Sequence, residues 1–92
     1  MKIINQVNRP GHNVCFARWS YIEEANSDVL DIVFKNKPTV AYRYHVSNEL
    51  AQAVFDSEEM GKTVFQLLTR SKHPFEKHTT EELRIELLEE EA

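Results

Sequence analysis

Asp28-Val29-Leu30-Asp31-Ile32-Val33-Phe34-Lys35 and, four residues on, Val40-Ala41-Tyr42-Arg43-Tyr44-His45-Val46 decide the reading of this chain. Both runs alternate with period two and are rich in the β-branched and aromatic residues that pack on a pleated surface. Asn36-Lys37-Pro38-Thr39 joins them, and Pro38, with no amide to donate to a ladder, belongs in the connection. The pair predicts a β-hairpin. Successive side chains of a strand point to opposite sides, so Leu30, Ile32 and Phe34 share one face, as do Val40, Tyr42, Tyr44 and Val46. Such a face needs a cover, and the segments after Ser47 are expected to supply it.

Working outward, Val14, Phe16, Arg18, Ser20 and Ile22 alternate with Cys15, Ala17, Trp19 and Tyr21, which predicts a strand before the hairpin. Residues 1–13 contain a Pro10-Gly11 turn signal and no periodicity, and are expected to form an N-terminal arm that is either disordered or reaches to a neighbouring subunit. After the hairpin, Ser47 is suited to cap a helix from Asn48 to about Asp56, with Leu50, Val54 and Phe55 on one side. A second helix is expected from Glu58 or Lys62 to Arg70, with Met60, Val64, Phe65, Leu67 and Leu68 as its apolar side. Ser71-Lys72-His73-Pro74-Phe75 reads as a stop. Thr79 and Glu82 fit a capping box opening a short acidic helix with Leu83, Leu87 and Leu88 on one face. The fold class is α+β: a three-stranded antiparallel sheet covered by two helices, plus a short C-terminal helix. The expected divisions are 1–13, 14–75 and 76–92.

The chain has 92 residues and a net charge of −4. Six carboxylates and one arginine fall in residues 81–92, leaving ten basic and nine acidic groups in the rest, so the body is nearly neutral. That balance argues against a broad footprint for duplex nucleic acid, which needs many phosphate contacts, but permits a small anion site. A chain this short buries only roughly 60–65% of its unfolded surface, so an enclosed ligand is expected at a subunit interface rather than deep inside one subunit. The single Cys15, the absence of an 18-residue apolar run and a start without a signal-like apolar core lead to the expectation of a cytoplasmic protein off the membrane.

No catalytic constellation stands out, and no enzyme activity, cofactor or metal is expected. Gly61-Lys62-Thr63 has the ending of a phosphate-binding loop, but Asp56 stands where that motif needs a glycine and a helix is expected where it needs a strand. His12, His45, His73, His78 and Cys15 lack the spacing of a metal site. Binding is better supported. With Tyr42 and Tyr44 facing the core, Arg43 and His45 project from the opposite sheet face, and Trp19 and Tyr21 belong either to that face or to its edge. Rings beside cationic donors suit a base-plus-phosphate ligand. The competing reading makes Trp19 and Tyr21 half-buried sheet aromatics and Arg43 a solvated strand residue.

Tyr21, Leu30-Asp31-Ile32-Val33-Phe34, Tyr42-Arg43-Tyr44-His45-Val46, the helix around Val54-Phe55, Ser57 with Gly61, and Val64 with Leu68 resemble the pattern of the KTSC family, a short module at the C terminus of some lysyl-tRNA synthetases. The resemblance runs from Asn13 to His73. Lys37 replaces the family's hairpin glycine, three residues rather than one separate Ser57 from Gly61, and the chain after Phe75 lies outside the module. Free-standing members of this size with an acidic tail resemble those of T-even-like phages, credited with sequestering cyclic dinucleotide signals such as cGAMP and blunting the CBASS defence. The resemblance therefore implies a non-catalytic sponge acting in the host cytoplasm, as a homo-oligomer, with a cyclic nucleotide as partner. The residues expected to bind are Trp19 and Tyr21 by stacking, Arg43 and His45 on phosphate, and Lys62 or Arg70 on a second phosphate. The alternative functions are an RNA- or tRNA-binding module and a protein-interaction module using the leucines of the tail.

Overall fold

A computed structural model describes residues 1–88 of the chain. The two runs of the hairpin form β3 (Ser27–Phe34) and β4 (Val40–Val46), and the strand before them is β2 (Val14–Ile22). The sheet nevertheless has five strands and not three. β1 (Lys2–Asn8) pairs antiparallel with β2, and β5 (Phe75–Thr79) pairs antiparallel with β4, giving the order β1-β2-β3-β4-β5. The segment expected as an N-terminal arm is thus an edge strand of the same sheet. Its sequence hides this, because most of β1 is exposed on both faces and nothing forces apolar and polar residues to alternate.

Two helical segments cover one face of the sheet. Ser47 caps α1 (Asn48–Asp56), its Oγ accepting from the Leu50 amide at 3.2 Å, and α1 buries Ala51 and Val54. α2 (Met60–Val64) runs directly into a π-helical turn, Phe65–Thr69, in which the Arg70 amide donates to the Phe65 carbonyl at 2.7 Å. Val54, Val64 and Leu68, all fully buried, pack onto Leu30, Ile32 and Trp19 of the sheet. Burying side chains of this size contributes roughly 1.5–3 kcal/mol each, which makes this layer the main source of stability. A register shift in β2 between Val14 and Phe16 sends Val14 into this layer and Phe16 to the opposite face, so the simple alternation expected over 14–22 breaks at its first turn.

The opposite face is covered by the chain after β5, which is not a helix. Thr79 and Glu82 do form the reciprocal capping bonds, with the Glu82 amide on Thr79 Oγ1 at 3.0 Å and the Thr79 amide on Glu82 Oε1 at 3.2 Å. Only a turn follows, with Arg84 at φ 53°, a backbone setting that ends right-handed helical geometry. Leu83, inside this turn, Ile85, whose amide closes it on the Thr80 carbonyl at 2.9 Å, and Leu87 beyond it meet Phe16, Val33 and Ala41. This turn and the strap after it replace the expected Leu83, Leu87, Leu88 helical stripe. Leu88 is 61% exposed. The rest of the expected acidic helix, residues 89–92, lies outside the described residues.

Candidate functional site

The cross-strand register lines up Arg18, Asp31, Arg43 and Glu76 on β2 to β5, a ladder of alternating charge on the strap-covered face. Asp31 is fully buried at its centre. Arg43 donates from Nε to Oδ1 at 2.7 Å and from Nη2 to Oδ2 at 3.2 Å, while Arg18 reaches Oδ2 from Nε at 3.3 Å and from Nη2 at 3.2 Å. Arg18 Nη2 also donates to the Leu83 carbonyl at 3.0 Å, which ties the strap to the ladder. The hydrogen bonds to Asp31 push the Arg43 guanidinium above its ordinary value, with burial opposing. At the exposed end, His45 Nε2 lies 2.5 Å from Glu76 Oε2, and hydrogen bonding to His45 is the leading reason that Glu76 sits below the usual carboxylate range.

This geometry separates the six residues expected to bind. Trp19 lies in the helix-covered core, its indole Nε1 donating to Asp28 Oδ1 at 2.9 Å and its ring 6.0 Å from that of Phe55. The Tyr21 hydroxyl donates to the Asn26 side chain. Arg43 and His45 occupy the opposite face, held by Asp31 and Glu76. Lys62 is exposed beside Glu59 at 3.9 Å, and Arg70 follows the π-helical turn on the surface. Arg43 and His45 are neighbours through Glu76; the structure does not bring Trp19 and Tyr21 to them.

Rings and cations do meet elsewhere. The helices cover β2 and β3 but stop short of the β4–β5 edge, leaving a half-open recess of about 730 Å³ between that edge and the π-helical turn. Its floor is a run of rings in edge and tilted contact: Phe34 to Tyr42 at 5.7 Å, Tyr42 to Phe75 at 5.3 Å, Phe75 to Tyr44 at 5.7 Å and Tyr44 to His73 at 6.2 Å. Phe65 stands at the rim, 57% exposed, and Phe75 is 50% exposed. Lys72 lines the mouth and Lys77 Nζ stands 5.9 Å from the centre of the Tyr42 ring, a cation held near an aromatic ring. Among the described residues the lining includes no carboxylate. Burial pushes the Tyr44 phenol up, partly offset by its hydrogen bond with Thr69, so at neutral pH that hydroxyl is a neutral donor and acceptor.

Two backbone features shape the mouth. Lys72 is left-handed at φ 56°, and the bonds from its amide to the Thr69 carbonyl at 3.1 Å and from the His73 amide to the Leu68 carbonyl at 2.9 Å close the helix end. Across the recess Asn13 packs against Gly61, where an added Cβ would stand 3.0 Å from Asn13 Nδ2.

No protein-family model, curated protein or solved structure matches the chain. Of the residues that line the recess, Tyr42 and Tyr44 point to the helix-covered side of β4, as the alternation of that strand predicts. Their part in a recess depends on where the helical cover ends, and no local pattern records that. Phe75 gives no strand signal, since Phe75-Glu76-Lys77-His78-Thr79 holds a single apolar residue, and Pro74 and the Thr79 capping signal point instead to a stop and a helix. Among the described residues no helix is long and apolar enough to cross a membrane.

Proposed function

We propose that this chain is a non-catalytic binding protein whose aromatic recess holds a nucleotide. In its fullest form the ligand is a cyclic dinucleotide such as cGAMP, sequestered so that CBASS-type defence signalling is blunted. The observation that carries the reading is the combination in one half-open recess of aromatic rings, Tyr42, Tyr44 and the half-exposed Phe75 and Phe65, with Lys72 at the mouth, Lys77 beside the Tyr42 ring, and no carboxylate among the described lining residues. Bases stack on rings whatever their sequence, lysines neutralise phosphate, and exclusion of water strengthens both. At about 730 Å³ the recess lies within the range of small-molecule sites, roughly 300–1,000 Å³. Its open side leaves room for a second copy of the chain to complete the enclosure.

Isothermal titration of the protein with cGAMP, other cyclic dinucleotides and mononucleotides tests the proposal. Saturable binding is expected, and Phe75→Ala, which removes a half-exposed ring from the floor, should weaken it by roughly 5- to 150-fold, the loss of one stacked base at ~1–3 kcal/mol. The same variant should melt close to the wild type. Flat titrations with every nucleotide would remove the reading.

A further inference from the structure

The recess meets a second, smaller groove of about 260 Å³ at one place, the contact between Asn13 and Gly61, which both line the two cavities. Asn13 sits where the loop after β1 enters β2, and its carbonyl accepts from the Lys35 amide at 2.9 Å, so its backbone is pinned to β3. Its side chain packs against the bare Cα of Gly61. A Cβ there would come within 3.0 Å of Nδ2 and 3.3 Å of the Asn13 Cβ, closer than ordinary van der Waals contact. Gly61 is at an ordinary backbone angle, so close approach and not chain conformation calls for glycine here. The Asn13 carboxamide makes no hydrogen bond to a described residue. An exposed carboxamide that rests against Gly61 and has no partner among the described residues therefore stands at the mouth of an aromatic recess, open to a ligand.

We infer that Asn13 is the base-reading residue of this site. The inference rests on the nucleotide reading of the recess. A carboxamide presents one donor and one acceptor side by side, the complement of a nucleobase edge that carries an adjacent acceptor and donor. Adenine offers such a pair through its amino group with either flanking ring nitrogen, and guanine through its carbonyl oxygen with the neighbouring N–H or its amino group with N3. The rings of the floor hold the base by its face and are indifferent to its identity. Asn13 adds the in-plane contact that selects its edge.

The chemistry dictates the test. Asn13→Asp is nearly isosteric but offers two acceptors and no donor. It matches the two adjacent N–H donors of guanine and opposes the ring nitrogen of adenine. The probes are AMP and GMP, titrated into wild type, Asn13→Asp and Gly61→Ala. The expected result is that Asn13→Asp raises the ratio of the AMP to the GMP dissociation constant by tenfold or more. Gly61→Ala, which displaces the carboxamide without altering its chemistry, should weaken AMP by several-fold. Asn13 is exposed, so its replacement should leave the thermal melt unchanged. If wild type binds both probes and the ratio does not move in Asn13→Asp, the role of Asn13 is refuted and the recess reading stands. If wild type binds neither probe nor any cyclic dinucleotide, both fall together.

Discussion

Replacing Asp31 by Asn should do more damage than any other single-atom-scale change in the chain. Asp31 is fully buried, and the two arginine side chains it joins are only 10% and 13% exposed. The amide keeps the shape and removes the charge, leaving Arg18 and Arg43 facing each other with one neutral acceptor between them. Breaking a buried pair by neutralising one partner costs about 3–5 kcal/mol, chiefly as uncompensated desolvation of the charge left behind. A domain of 92 residues has a total stability of only ~5–14 kcal/mol, so roughly a fifth of it or more should go. With an unfolding entropy of about 0.19 kcal/mol/K for this length, the melting temperature should fall by roughly 15–25 °C. Thermal and urea melts of the two proteins give the figure. The drop should persist in 1 M salt, since buried pairs are little screened. Arg18→Met, Asp31→Leu and Arg43→Met together should recover much of the loss, because an apolar triad removes the desolvation cost along with the attraction. A melt of Asp31→Asn within a few degrees of wild type would refute the claim that the ladder is electrostatically closed around this carboxylate.

The remaining expectations concern the recess and its edge strand. Lys72→Gly should stabilise the fold by about 0.5–1 kcal/mol, because glycine adopts the left-handed setting without the Cβ clash. The same change takes a cation from the recess mouth, so nucleotide affinity should fall while the melting temperature rises; parallel melts and titrations separate the two. Ser47→Ala should cost about 1 kcal/mol in a urea melt by removing the cap on the Leu50 amide. Glu76 and Glu82 are held below their ordinary value of 4.5, Glu76 first by its hydrogen bond with His45 and Glu82 first by that with the Thr79 amide. A depressed carboxylate stabilises the fold above its unfolded value and loses that contribution as pH falls through the folded one. Amide exchange should therefore show β5 and the Thr79–Glu82 turn loosening before β2 and β3 as pH drops below 4.5; protection of β5 that grows on acidification would contradict this.

The hairpin was legible because its residues are buried on both faces or on one, and burial enforces a pattern. β3 has buried residues at nearly every position, and β4 buries Tyr44 and Val46 on the helix-covered face and Ala41 on the other. α1 was legible for the same reason, together with the Ser47 cap. The edge strands were not. β1 has no buried residue to set a phase, and in β5 only His78 is half-buried. The tail misled through a true local signal: the Thr79–Glu82 capping bonds form, yet only one turn follows before Arg84 turns left-handed, which lets Leu83, Ile85 and Leu87 all reach Phe16, Val33 and Ala41. Trp19 and Arg43 were both read as available to a ligand. Each found a partner inside the protein instead, Asp28 and Asp31, from strand positions whose acidic character suggests solvent until the neighbouring strands are placed. The recess was out of reach, since it arises where the helical cover stops short of the β4–β5 edge.

The most direct test is a two-dimensional NMR titration of the isotopically labelled protein with cGAMP. Saturable shifts are expected at Asn13, Tyr42, Tyr44, Lys72 and Phe75, with the amides of Trp19 and Asp31 unmoved. Shifts confined to the Arg43–His45–Glu76 surface, or none at millimolar ligand, would contradict the assignment of the recess as the binding site.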